Sequence, residues 1–152
     1  MDDAAIREAL IAQFRGGRDL DETHEIYHDD AILEFPQSGE SFVGKASFLA
    51  FRKRYPAAVT YRVRRITGHG DLWVLELLVS YDGGPPMFGT SVHQFRGDRI
   101  AREVIYVAEG FEPSAARAEW ATRFDPLASI AADDWVDGEP FGIYASTAVA
   151  AG

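Results

Sequence analysis

The stretch IYHDDAILEFPQSGESFVG, residues 26–44, decides how the rest of the chain is arranged. It reads as the end of a helix, a short strand and a turn. Ala31, Leu33 and Phe35 point one way while Ile32 and Glu34 point the other, the alternation of a half-buried strand. Pro36 has no amide hydrogen to give a ladder, so the strand stops there or runs along an edge. Gln37-Ser38-Gly39-Glu40 then turns the chain into a short apolar piece, Phe42-Val43. Helices precede this stretch; one helix and a run of strands follow it. That order predicts an α+β fold in which a curved antiparallel sheet wraps over N-terminal helices as a cone with a small-molecule pocket at its centre.

Upstream, Asp2 or Asp3 can cap a helix over residues 4–15 whose inner face carries Ile6, Leu10 and Phe14, and Gly16-Gly17 stops it. Asp19 is placed to cap a second helix, with Glu22 completing a capping box and Leu20, His24 and Tyr27 as its inner stripe. Downstream, a helix over 46–55 sets Phe48, Phe51, Arg52 and Tyr55 on one side, and Pro56 ends it. Strands are predicted over 58–67, 72–81, 87–96 and 99–108, the last two joined by Gly97-Asp98. A simple two-residue hairpin there puts His93 opposite Arg102 and Glu103 opposite Val92, on the other face from His93; a bulge shifts that register. Pro113-Ser114 opens a further predicted helix to Phe124, with Ala116, Trp120 and Phe124 in line. Residues 1–125 are thus expected to form one domain, and 126–152 a C-terminal extension packing on or beside it.

Composition narrows the class. A chain of 152 residues has the length of one domain and can bury a core without staples. It has no cysteine, which excludes disulfides and thiolate chemistry. With 24 acids against 15 bases its net charge of −9 repels phosphate backbones, so no nucleic-acid partner is expected. The opening MDDAAIREAL carries acids where a signal peptide carries bases, and the longest apolar run, Leu72 to Val79, is interrupted by Glu76. The expectation is a cytoplasmic protein without a membrane partner.

Three stretches, YHDDAILEFPQSGE, GDLWVLELLVSYDG and HQFRGDRIAREVIY, resemble the SnoaL-like, polyketide cyclase-related branch of the nuclear transport factor 2-like superfamily, over about residues 4–124. The resemblance implies the cone fold but leaves the activity open, because that fold hosts isomerases, epoxide hydrolases, cyclases and proteins without catalysis. Where the steroid isomerases of the superfamily keep an aspartate base this chain has Phe35. Their tyrosine falls near Leu10 or Ile11, and their second acid near Ser91. The epoxide hydrolases' Asp–Arg–Asp relay falls at Leu77, Val79 and Ile105, none of which polarises a water. The polyketide cyclases pair a histidine with an acid on the last two strands, and there this chain has His93, Glu103 and Tyr106.

His93 is therefore the candidate acid or base, Glu103 the group that orients or shares its proton, and Tyr106 a hydrogen-bond donor. The bland alternative for His93 is a core imidazole bonded to a carbonyl or carboxylate. Glu34, Phe35, Tyr61, Trp73, Glu76, Phe88 and Trp120 are the candidate ligand-lining residues. Glu34 and Glu76 could instead pair across strands with Arg62, Arg64 or Arg102. The basic runs Arg52-Lys53-Arg54 and Arg62-Val63-Arg64-Arg65 read as a solvated face or as partners for the tail's acids, with an anionic ligand group at the pocket rim as the alternative. His24 and His28 have metal-clamp spacing on a helix but no recognisable further ligand, so no metal and no cofactor are expected. These readings point to a protein that binds a small apolar molecule, either as a cofactor-free cyclase, isomerase or hydrolase or as a non-catalytic carrier or sensor. A dimeric structural module is a third possibility, and a homodimer through the sheet is expected in any case.

Overall fold

The computed structural model describes residues 1–14 and 18–128, together with the backbone of Val136–Asp137. Helix α1 (Asp3–Phe14) begins where Asp2 Oδ1 accepts the amide of Ala5 at 2.8 Å, and it buries Ile6, Leu10 and Ile11. Asp19 does cap α2, accepting the amide of Glu22 at 2.9 Å. That helix is a single turn (Leu20–Thr23) tightening into a 3₁₀ turn at His24–Ile26. The predicted stripe through Tyr27 is therefore corrected: Tyr27 is the first residue of strand β1 (Tyr27–Phe35). Irregular pairing between Tyr27 and Ile32 interrupts the alternation there, which hid the strand's early start from a period-two reading.

Strand β2 (Glu40–Val43) and helix α3 (Lys45–Lys53) follow, then β3 (Val59–His69), β4 (Leu72–Tyr81), β5 (Met87–Arg96) and β6 (Arg99–Ala108). These strands form a curved, unclosed sheet in the order β2-β1-β6-β5-β4-β3, and the two-residue β7 (Val136–Asp137) extends it beyond β3. The sheet is not wholly antiparallel, because β1 lies parallel to β6. α1 packs on β3 and α3 on β1, closing the inner face over Leu10, Leu33, Phe48, Leu75 and Ile100, all fully buried.

Two local devices position the site. At Gly68 a Cβ would stand 2.3 Å from the Trp73 ring, so only glycine lets the indole lie across β3. At the β5–β6 turn, Gly97 adopts φ +68° and Arg96 faces Arg99. The ladder then steps from Phe95↔Ile100 to Gln94↔Arg102, leaving Ala101 as an extra residue. That bulge corrects the register of the simple hairpin: His93 pairs with Glu103, not Arg102, and both side chains are buried on the inner face.

The helix predicted over 113–124 is only a 3₁₀ turn, Ala115–Arg117, opened by Ser114. Trp120 and Phe124 are exposed, and a short helix with no surface to cover lacks the packing that sustains one. Of the predicted extension, β7 pairs antiparallel with β3 at Arg62 and Val63; the remainder beyond residue 128 lies outside the described residues. Among the described residues no helix is long and apolar enough to cross a membrane.

Candidate functional site

Five elements send polar side chains to one place inside the sheet. Glu103, 4% exposed, comes from β6. Tyr27, at the head of β1, donates its hydroxyl to Glu103 Oε1 and accepts from Gln13 Nε2 at 3.0 Å. From β5, Ser91 donates to Glu103 Oε2 at 3.1 Å. His93 Nδ1 is 3.4 Å from the Ser91 hydroxyl, and its Nε2 stands 3.1 Å from Glu103 Oε1. That last approach is close without being an aligned hydrogen bond. From α3, Arg52 Nη2 is 3.8 Å from Glu103 Oε2.

Arg52 is held from its other side. Its Nη1 donates to His24 Nε2 at 2.9 Å, and a guanidinium can only donate. His24 must therefore carry its proton on Nδ1, where the Leu20 carbonyl accepts it at 2.7 Å. The 3₁₀ turn matters here, because it turns the imidazole inward. Burial and then the Arg52 charge lower the His24 pKa to about 4, so the ring is neutral. Burial alone pushes the Glu103 carboxyl up; His93, Arg52 and Tyr27 outweigh it and hold the group well below the carboxylate range. Burial, then the Glu103 charge, push the Tyr27 hydroxyl up, keeping it a donor.

Above this cluster lies a cavity of about 750 Å³. Its wall is largely aromatic, with Phe35, Phe42, Phe51, Tyr55, Tyr61 and Tyr81, and Ile105 and Val107 of β6 complete the inner side. Arg52 belongs to both structures: its guanidinium lies 5.4 Å from the centre of the Phe48 ring, touches the cluster, and lines the cavity. The rim has its own fastening. Gln37 donates to the Val107 carbonyl and accepts the Val107 amide, both at 2.6 Å, continuing the ladder that Pro36 ended.

Of the residues singled out in the sequence, the structure brings His93 and Glu103 together and puts Phe35 and Tyr61 in the cavity wall. His93 and Glu103 lie behind that wall, not in it. Tyr106 is 44% exposed on the outer face of the sheet, and the hydroxyl on Glu103 comes from Tyr27 instead. Glu34 pairs with Arg102 and Glu76 with Arg65, the cross-strand ion pairs that alternation allows. Trp73 is buried against Gly68 and donates to the Gly70 carbonyl at 2.9 Å; Phe88 is half-buried and outside the lining; Trp120 is 78% exposed. His24 and His28 do not share a helix: His28 is on β1, bonded to the Arg96 carbonyl at 2.6 Å. Among the described residues no group of three or more histidines and acids is gathered for a metal. Tyr27, Ser91 and His24 were missed as members of the site, and Arg52 was read first as surface charge, with a role at the pocket rim only as the alternative. The signal was Arg52 standing in an apolar stripe with Phe48 and Tyr55, a place a solvated cation does not need.

The SnoaL-like domain model matches residues 8–103. Among curated proteins, none matches the chain. An NTF-2-like protein of unknown function from Burkholderia xenovorans LB400 is 37% identical, with a TM-score of 0.75 over 82% of this chain and 99% of its own. A candidate ketosteroid isomerase from Kribbella flavida DSM 17836 has a TM-score of 0.73 at 22% identity, over 84% of this chain and 96% of its own, a likeness of fold alone. A candidate polyketide cyclase from Sinorhizobium meliloti, 25% identical, covers 58% of this chain and 82% of its own with a TM-score of 0.51.

Proposed function

We propose that this chain, which belongs to the SnoaL-like domain family, binds a small, largely apolar molecule in the aromatic cavity, with a polar atom of that molecule accepting from Arg52. The observation carrying this is that Arg52 is charged, 6% exposed and part of the wall, whereas the other charged lining residues, Glu40 and Arg54, are exposed. A guanidinium fixed in the wall of an aromatic-lined chamber is a donor with a defined direction, worth more there than in bulk water.

Acid–base catalysis of the cyclase, isomerase or hydrolase kind is the second reading. Its candidate groups are the His93–Glu103 pair, which stands one side chain behind the wall, so proton transfer needs the ligand to reach past Arg52, whose guanidinium cannot relay a proton. Neither reading calls for a cofactor. Pairing of two copies through the outer sheet face belongs to the same proposal, as does a cytoplasmic setting without nucleic-acid partners, which rests on the missing cysteines and the charge of −9.

Titration with 2-acetonaphthone, a flat ketone, tests the site. Saturable binding is expected, weakened at least about tenfold by Arg52→Met and likewise by Val107→Trp, which fills the chamber without touching the cluster. No saturation, or binding untouched by both variants, overturns the proposal. Running the titration in D₂O separates the readings. Exchange of the ketone's methyl protons above the buffer rate, lost in His93→Ala, supports catalysis; binding without exchange supports a carrier.

A further inference from the structure

We infer that His24 is the positioning residue of the cavity: its Nε2 holds one arm of the Arg52 guanidinium, keeps the other arm from folding onto Glu103, and so leaves that arm free for an acceptor atom of the ligand. The inference rests on the cavity reading above and adds what lets the chamber tell a carbonyl from a hydrocarbon of the same shape.

A guanidinium is a planar fork, so restricting its plane and fixing one nitrogen sets the direction of every N–H. Both constraints act on Arg52. Two rings of its own helix flank it, with Cζ 5.4 Å from the centre of Phe48 and 6.0 Å from that of Phe51. Nη1 donates to His24 Nε2 at 2.9 Å. His24 is itself built in. It is 3% exposed, its Nδ1–H donates to the Leu20 carbonyl at 2.7 Å, and its ring packs 5.3 Å from that of Tyr27 and 5.8 Å from that of Phe48. The acceptor cannot swing after its donor.

What this bond prevents is visible on the opposite side. Arg52 Nη2 stops 3.8 Å from Glu103 Oε2, beyond hydrogen-bond reach, although a guanidinium and a carboxylate gain most as a bidentate fork. Glu103 takes hydrogen bonds from Tyr27 and Ser91 instead. Among the described residues the bond to His24 is the one aligned hydrogen bond of the Arg52 side chain, and that side chain lines the chamber. Without His24, Glu103 is the strong acceptor left to it, and closing the gap to about 2.8 Å would spend the fork there. His24 does not touch the ligand; it acts through Arg52.

The test compares 2-acetonaphthone with 2-isopropenylnaphthalene, which has a methylene in place of the carbonyl oxygen and keeps the shape. In His24→Phe, which leaves a ring beside Tyr27 and Phe48 but no acceptor, ketone affinity is expected to fall about tenfold while the hydrocarbon's stays level. The carbonyl stretch of the bound ketone, lowered by its hydrogen bond in the wild type, should rise to its position in Arg52→Met. His24→Gln, which restores an acceptor, should bring back both readouts. Unchanged ketone affinity with an unmoved carbonyl band in His24→Phe overturns the inference alone. So does an equal loss of both probes, the mark of a ring that only fills space, or a glutamine variant that behaves as the phenylalanine one does. A wild-type measurement stands if the variants fold poorly: nitrogen-15 spectra at neutral pH must show His24 protonated at Nδ1 with Nε2 accepting, and any other form overturns the inference. Binding of neither probe overturns the cavity reading and this inference with it.

Discussion

At the scale of single residues, the site is a problem in keeping charge inside a protein. A buried carboxylate is tolerated because donors and cations converge on it, and the arrangement makes its neighbours pH-sensitive. His24 is the clearest case. Its pKa is about 4 in the fold and near 6.5 when free, so between those values the unfolded chain binds more protons. Stability from this residue is complete above about pH 6.5 and is lost as the pH falls to about 4, for a total of about 3 kcal/mol. Urea unfolding across that window should show the decline, and His24→Gln should flatten it. An equal slope in the variant would place the dependence elsewhere. Glu103 acts lower still, its contribution lost only as the pH falls below the free value of 4.5.

At the scale of elements, most of the sheet was legible and the site's register was not. The four long strands follow from alternation bounded by Gly, Asp and Pro, and their predicted limits lie within two residues of those observed. Gly68 shows how one position disciplines a strand pair. Gly68→Ala forces the Trp73 ring aside and is expected to cost about 2 kcal/mol in thermal unfolding, most of it relieved in a Trp73→Leu background. Equal costs in both backgrounds would deny the contact. What alternation could not reveal was the extra residue at Ala101, because a bulge is a property of two paired strands and leaves no period of its own. With it went the face of Glu103. The aromatic helix predicted over 113–124 failed for the opposite reason: its spacing was right, but no surface is there to receive it. Arg52 was visible as a member of an apolar stripe and was misread through the company of Lys53 and Arg54.

At the scale of the whole molecule, the sheet has an outer side as well as an inner one. Across it Val74, Val92 and Val104 stand in one row, half-buried, with Leu72 and Tyr106 exposed nearby. An apolar row on an open sheet face favours a self-complementary partner. Sedimentation is expected to give a dimer that Val92→Glu dissociates, with ligand binding retained; a monomer at high concentration would remove this arrangement.

The clasp between Gln37 and Val107 bears on traffic. Because a side-chain amide, and not main chain, completes the ladder at the lip, this part of the rim can loosen without any strand peeling from its neighbour. Releasing two contacts is a local fluctuation on the order of 2 kcal/mol, far short of cooperative opening. The lip is thus fastened separately from the sheet that carries it.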